Sequence, residues 1–425
     1  MILFVCGGIL LPALLCIAGL YFFFFMNGKP FKGFFTSLRG LSKRDKAGQS
    51  PLKAASMALA GTLGVGNIVG VAAAIKEGGA GVLFWMWLSA GAAMVVKYAE
   101  ILLSMNHRQK SADGTVGGAM YYMKKPCSTL FAVLCCICAL SVGCVLQVRA
   151  IADSFSSVLG AQPLFICLPL FAIMVCCLLK KGNKLFDLTA LIVPFMTLLY
   201  VVLCLCVLFK YRTALPDVMK EIIRGAFSFK SSLLGSLAST LTVLRLGIVR
   251  GILSNEAGCG TAPMAHAASC SKSADAQGAL GVLEVAVDTL LLCSLTGFAV
   301  LVCPHARTAA SGGEMVLRAL SSVFGRAAQW LYLPALFFFV LATLICWAFY
   351  AKQSISYLTR NTIIRSLFMA LFCLCILLAP CFSGDLLWQI SDGVIACMTL
   401  LNLHALFLKR KEIRLLSMGG SSKSM

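Results

Sequence analysis

About eleven runs of some twenty apolar residues follow one another along this chain, each long enough to cross a hydrocarbon layer roughly 30 Å thick. They fall at 3–25, 54–75, 81–103, 128–159, 163–179, 185–209, 231–269, 277–303, 328–357, 364–381 and 385–408. One such run is compatible with an anchor; this many make the membrane domain the whole protein. Composition agrees, with 60% hydrophobic and 12% charged residues against roughly 25% charged in a soluble domain. Lipid supplies no hydrogen-bond partners, so each run must satisfy its own backbone as a helix. The expected fold class is an all-α integral membrane protein. Met1 to Phe25 has no basic start and too long an apolar stretch for a cleaved signal, so it is expected to persist as a first helix.

The net charge of +20 does not point to nucleic acid. The basic residues sit in short loops, as in Lys29, Lys32, Arg39, Lys43, Arg44, Lys46 and Lys53, where they act as topology signals. About 23 of the 36 fall on alternate loops of one side and about 9 on the other, which places the C-terminus in the cytoplasm and the N-terminus outside. The 210–230 connection carries five basic residues on the outer side and reads as an amphipathic surface helix. Most of the 21 cysteines lie inside apolar runs, where they pack as small apolar groups rather than form disulfides. The four histidines are scattered, and no zinc spacing or metal cluster emerges.

Two runs are interrupted. Gly61-Thr62-Leu63-Gly64-Val65-Gly66-Asn67-Ile68-Val69-Gly70 places four glycines and an amide in mid-membrane sequence, and Ser254-Asn255-Glu256-Ala257-Gly258-Cys259-Gly260 breaks the run that starts near Leu233. Each glycine weakens a helix by up to about 1 kcal/mol relative to alanine. A backbone unwound in this way survives at membrane depth only inside protein or beside a polar cavity. With the first helix set aside, the interrupted runs open two sets of five. The division is 1–53 (first helix and basic cytoplasmic loop), 54–209 (first repeat), 210–230 (connection), 231–408 (second, inverted repeat) and 409–425 (basic cytoplasmic tail). Broken helices at matching positions point to a transporter's binding site.

The chemistry of such breaks suits a zwitterion. Amides near Val65 and Gly66 are expected to take a carboxylate, and carbonyls near Ala60, Thr62 and Leu63, beside Asn67, a dehydrated cation. Close helix packing through small residues is the alternative reading of the glycines. Glu284 and Asp288 lie one turn apart; either they serve a cation, or they form a structural network or pair with Arg245 or Arg250. Arg149 and Asp153 are expected to pair at i, i+4. Gln147 is either a substrate contact or an interface residue. Lys97 and Glu100 read as snorkelling and local pairing at the cytoplasmic end of their helix. The Gly64, Gly66, Gly70 spacing lacks the strand a dinucleotide fingerprint needs, and no phosphate loop occurs.

At these residues the chain resembles the alanine or glycine:cation symporter family. The resemblance rests on Gly64-Val65-Gly66-Asn67-Ile68-Val69-Gly70-Val71, Phe84-Trp85-Met86-Trp87, Lys97-Tyr98-Ala99-Glu100 and Gly117-Gly118-Ala119-Met120-Tyr121-Tyr122. Its strongest stretch is Arg250-Gly251-Ile252-Leu253-Ser254-Asn255-Glu256-Ala257-Gly258-Cys259-Gly260-Thr261-Ala262-Pro263, continuing to His266-Ala267-Ala268. It implies a leucine-transporter-like inverted repeat and sodium-coupled, sometimes proton-coupled, uptake of alanine, glycine or similar small amino acids across a bacterial inner membrane. Carried over by motif, Thr62, Gly64, Gly66, Asn67, Gln147, Asn255, Glu256 and Gly258 line the substrate site, which the Val65 amide joins from the geometry of the break. Ala60, Thr62, Leu63, Asn67 and Thr343 then serve the cation, with Glu284 and Asp288 as candidates from their spacing.

The chain departs from the family pattern at several points. Val65 replaces a usual threonine, Ala342-Thr343 a Ser-Thr pair, Cys346-Trp347-Ala348 a Gly-Trp-Ser, Arg149 an asparagine and Lys352-Gln353 a Gly-Glu. The expected partners are a small amino acid, sodium as coupling ion with a proton as the alternative, and the lipid bilayer, with no nucleic acid and no cofactor. An exchanger is a further reading. A passive channel needs a continuous polar stripe instead of two breaks, and an enzyme needs a nucleophile-base pair or metal motif that the sequence does not offer.

Overall fold

The computed structural model describes residues 10–39, 49–111, 114–179, 184–227, 233–382 and 384–419. Lys43, Arg44, Lys46 and the 180–183 turn lie outside them. Nearly all of the described chain is helical. Among the described residues the β-structure is an antiparallel hairpin, Gln109–Ser111 with Gly114–Val116, in the register Gln109 to Val116 and Ser111 to Gly114, and an isolated parallel bridge of Gln49 with Ser269. Gly114 starts the second strand at φ 116°, backbone that glycine adopts readily.

The principal helices are α1 (Leu11–Phe25), α2 (Pro51–Thr62), α3 (Val71–Gly78), α4 (Val82–Asn106), α5 (Cys127–Leu159), α6 (Leu164–Leu179), α7 (Lys184–Lys210) and α8 (Leu215–Ala226). They continue with α9 (Leu233–Asn255), α10 (Ala262–Ala267), α11 (Ala274–Val302), α12 (Gly312–Phe324), α13 (Ala328–Leu358), α14 (Thr362–Leu378), α15 (Gly384–Leu408) and α16 (Arg410–Ser417). Among the described residues seven helical stretches are long and apolar enough to cross a membrane, or eight if α2 and the bent segment that follows it form one span. Hydropathy predicts about eleven spans. The difference lies in α1 and α6, which are apolar but shorter, and in the broken α9 to α10 segment.

Lipid-facing stripes are evident. On α7, Leu191, Phe195, Leu198, Val202, Leu205 and Phe209 are all exposed, at the spacing of one helix face. Apolar side chains on this scale at a surface belong in hydrocarbon. α4 runs through the centre and is gripped by small residues. A Cβ on Gly247 of α9 would lie 2.6 Å from Trp85 Cβ, one on Gly251 2.6 Å from Ser89 Oγ, and one on Gly278 of α11 2.8 Å from Tyr98. Small residues at i and i+4 let helices approach where lipid gives no hydrophobic drive.

Two segments escape the hydropathy reading. α12 begins with a side-chain cap, Ser311 Oγ accepting from the Glu314 amide at 3.2 Å while Glu314 Oε2 accepts from the Ala310 amide at 2.8 Å, one residue before the N-cap, a relative of the capping box. The tail contains α16, which buries Ile413 and Leu416. The 210–230 connection contains α8, which buries Val218, Ile222 and Ala226 and exposes Met219 and Ile223. It is amphipathic, the form read for this connection from its basic residues. All the described cysteines are free, as expected of packing residues.

Candidate functional site

Both interrupted segments are open where their glycines fall. α2 ends at Thr62, Leu63 turns out of helical geometry at ψ 82°, and a π-helical turn, Gly66–Gly70, leads into α3. The two halves are bent by 50°. α9 ends at Asn255, and Glu256, Gly258 and Gly260 follow at φ 51°, 84° and 77°. Left-handed backbone suits the two glycines and strains Glu256. The segments lie against each other with α2 on α10 and α3 on α9.

They meet at a buried carboxylate. Asn67 Nδ2 donates to Asp288 Oδ1 at 2.7 Å and to Ser254 Oγ at 3.1 Å, and Ser254 Oγ donates to Asp288 Oδ2 at 2.7 Å. Thr289 Oγ1 donates to Asp288 Oδ2 at 2.8 Å and accepts from Asn255 Nδ2 at 3.2 Å. Asn67, Asp288 and Thr289 are fully buried. Among the described residues no cationic side chain lies within 4 Å of Asp288. A carboxylate so placed is held by neutral donors alone, leaving its charge uncompensated at short range.

The other face of the first break is built from backbone. Val65 N donates to Gln147 Oε1 at 3.0 Å, Gly64 N to Asn67 Oδ1 at 3.2 Å, and Thr343 Oγ1 to the Leu63 carbonyl at 3.0 Å. A Cβ on Gly64 would stand 2.7 Å from Gln147 Oε1, whereas one on Gly66 would meet nothing within 4 Å. Gly66 therefore faces open space. Thr62 Oγ1 turns back to the Leu59 carbonyl at 3.1 Å, and Ala60 is fully buried.

Glu256 and Gly258 are drawn elsewhere. Glu256 Oε2 accepts from Thr261 Oγ1 at 2.7 Å, and the Gly258 carbonyl accepts from Asn402 Nδ2 at 2.8 Å. Asn402 Nδ2 also bonds Glu100 Oε1, and Asn402 Oδ1 accepts from Tyr122 Oη at 2.6 Å. Glu100 thus belongs to the second break and not to the membrane surface.

Lys97 overturns its sequence reading as well. It is fully buried and donates to Glu284 Oε1 at 2.9 Å, while Glu284 Oε2 lies 3.1 Å from His266 Nε2 and His266 Nδ1 lies 2.8 Å from Gln277 Nε2. A side chain packed between α4 and α11 cannot snorkel, and a buried carboxylate at hand holds it. The chain of contacts also enlists His266, one of the histidines that look scattered in sequence. Glu284 and Asp288, one turn apart, therefore part company: one is compensated by lysine and the other meets Asn67. Arg149 pairs with Asp153 at 3.5 Å and donates to the Pro380 carbonyl at 3.2 Å, so it is tied down beside the end of α14.

A polar face of α13 escapes the sequence reading. Thr343, Trp347, Tyr350 and Ser354 recur at helical spacing. Trp347 Nε1, Tyr350 Oη and Ser354 Oγ are buried without a nitrogen or oxygen partner among the described residues; the Cys346 thiol lies beside Tyr350 and the Cys135 thiol beside Ser354. Gly61 packs on this face, its would-be Cβ 2.8 Å from Cys346 Sγ and 3.4 Å from Tyr350 Oη. No group of three or more metal-ligating side chains occurs among the described residues.

The fold and two mutually opposed helix breaks define a multi-pass membrane transporter. Residues 3–417 match the sodium:alanine symporter family, and the chain belongs to that family. It is similar to the probable sodium/glutamine symporter GlnT of Bacillus subtilis, 31% identical over 95% of this chain and 86% of that one. It is 29% identical to the sodium/alanine symporter AgcS of Methanococcus maripaludis over 84% of this chain and 81% of that one. Its fold is similar to that of a substrate-bound, outward-open Na+-coupled sialic acid symporter, with a TM-score of 0.55 and 12% identity over 96% of this chain and 87% of the other. The family consists of transporters, and the chain is not an enzyme.

Proposed function

We propose that this chain is a sodium-coupled symporter that brings a small neutral amino acid, alanine or glycine, into the cell across a bacterial inner membrane. It works by alternating access between two inverted five-helix repeats, 54–209 and 231–408, with the N-terminus outside and the C-terminus in the cytoplasm. The observation that carries the reading is Asp288: a buried carboxylate bonded to Asn67 of the first break and Ser254 of the second, with no protein cation beside it among the described residues. A coupling cation at Asp288 and Asn67 supplies the missing charge and draws both breaks together.

The contact of α2 with α10 and of α3 with α9 supports the inverted arrangement, since each entry half then lies on the other's exit half. The open space at Gly66 gives the substrate room, with its carboxylate on the Val65 and Gly66 amides in place of Gln147 Oε1, and Gly64 kept bare for that approach. Asn255, through Thr289, completes the substrate shell; Glu256 and Gly258 shape the second turn. The Leu63 carbonyl and Thr343 hydroxyl, with carbonyls of Ala60 and Thr62, form a second oxygen cluster for a cation. Glu284 is occupied by Lys97, so coupling is assigned to Asp288 alone.

Uptake of labelled alanine and glycine into proteoliposomes tests this, comparing an inward sodium gradient with potassium and with a proton gradient. Sodium-driven accumulation, lost in Asn67→Ala, is the expected result. Accumulation driven by protons alone moves the coupling to protonation of Asp288, and none under any gradient rejects the substrate assignment.

A further inference from the structure

Away from the helix breaks, a polar cavity of about 530 Å3 opens where the hairpin, the Ala119–Tyr122 turn, the start of α5 and the end of α13 come together. Lys110, Lys125 and Arg360 line it, and none of its lining residues among those described is acidic. Ser128 and Ser356 line it too, and their buried hydroxyls have no hydrogen-bond partner among the described residues. Ser128 is 1% exposed. A buried hydroxyl without a partner in a wall of cations is a donor waiting for an anion's oxygen. Tyr121 and Tyr357 pack edge to face there, with ring centroids 5.3 Å apart, and tyrosine favours the headgroup level of a bilayer.

The surroundings specify the kind of anion. α5 starts and α13 ends at the cavity, so it lies at the boundary between hydrocarbon and water. Immediately inward, Leu130, Val133 and Ile137 of α5 are exposed along one face, and Ile363, Ile364 and Leu367 of α14 are exposed beside Arg360. A ligand with a phosphate at one end and long apolar chains at the other matches both parts.

We propose that this cavity is a binding site for a phosphate-bearing anion, filled in the membrane by the headgroup of an anionic phospholipid whose acyl chains lie on α5 and α14. Three cations without a lining carboxylate favour a net negative headgroup over a zwitterionic one. The site is separate from the transport site and does not depend on its assignment.

The test is binding of phosphatidylglycerol to the full-length protein in neutral detergent, read by native mass spectrometry, with phosphatidylcholine and inorganic phosphate as the other arms. Phosphatidylglycerol is expected to bind preferentially and to weaken as salt rises. The triple variant Lys110→Gln, Lys125→Gln, Arg360→Gln is expected to weaken it roughly a hundredfold, and Lys220→Gln on α8 to leave it unchanged. Competition by inorganic phosphate at comparable concentration supports the anion site while assigning its occupant to soluble phosphate. Equal binding of phosphatidylcholine, or phosphatidylglycerol binding indifferent to salt in the wild-type protein, overturns the proposal even if the triple variant fails to fold.

Discussion

Asn67 holds Asp288 at 2.7 Å while its own carbonyl oxygen accepts the Gly64 amide at 3.2 Å, so one side chain both braces the first helix break and reaches the carboxylate opposite it. Any cation that binds Asp288 is thereby felt by the turn that holds the substrate in the proposed mechanism. Neutralising that carboxylate removes the cation's attraction while keeping the shape. Asp288→Asn is expected to fold and to lose sodium-dependent uptake by roughly 10- to 100-fold, the equivalent of a charged hydrogen bond of about 1.5–3 kcal/mol. The check is uptake against sodium concentration; an unchanged sodium dependence would reject Asp288 as the coupling residue.

Gly64 and Gly66 are two residues apart and answer to different constraints. Alanine at Gly64 drives its methyl to 2.7 Å from Gln147 Oε1 and 3.1 Å from Thr343 Oγ1. It is expected to lower stability by about 1–3 kcal/mol, read as a drop in melting temperature in detergent. Gly66→Ala meets nothing within 4 Å, so its melting temperature is expected to match the parent's. Its methyl takes room the substrate needs, and the loss appears in KM. Equal melting temperatures for both variants would contradict this.

The breaks are legible in the sequence because glycine and asparagine weaken a helix just where lipid demands an unbroken one, and the Asn67 and Asn255 clusters follow from them. Lys97 is not legible in this way. It stands near the end of an apolar run, where snorkelling is the ordinary reading, and its partner Glu284 is 187 positions away. No local pattern reports such a contact. Comparable separations hide the roles of Asn402, while α12 escapes because two glycines, a glutamate and an arginine dilute its hydropathy. The membrane face of each helix becomes readable only once its neighbours are known: the Leu191 to Phe209 stripe is no more apolar in sequence than the buried side of α7.

The Lys97 and Glu284 pair makes a separate stability prediction. Lys97→Met leaves a buried carboxylate with only His266 beside it, a loss expected to cost about 3–5 kcal/mol. Replacing both partners, as Lys97→Met with Glu284→Leu, removes the orphaned charge and is expected to recover part of that loss. A double variant no more stable than Lys97→Met would show that the pair is not coupled as the contacts indicate.

The last prediction concerns α16. Asn106 Nδ2 and His107 Nε2 lie 2.6 and 2.7 Å from Glu412 Oε1, and Lys409 Nζ lies 2.9 Å from Oε2. Burial alone would raise the Glu412 carboxyl, but the hydrogen bonds and charges of His107 and Lys409 outweigh it and hold the group at about 2. Its unfolded value is about 4.3, so the folded pKa is depressed. The carboxylate's contribution to docking is therefore full above about pH 4.3 and is lost as pH falls through about 2. With a spin label at the exposed Met418, α16 is expected to remain immobile from neutral pH down to about 4 and to loosen below it. Glu412→Gln is expected to be loose already at neutral pH, with faster tryptic cleavage after Arg410 and Arg414. A variant as immobile as the parent at neutral pH would mean that Ile413 and Leu416, buried against the bundle, suffice to dock the helix.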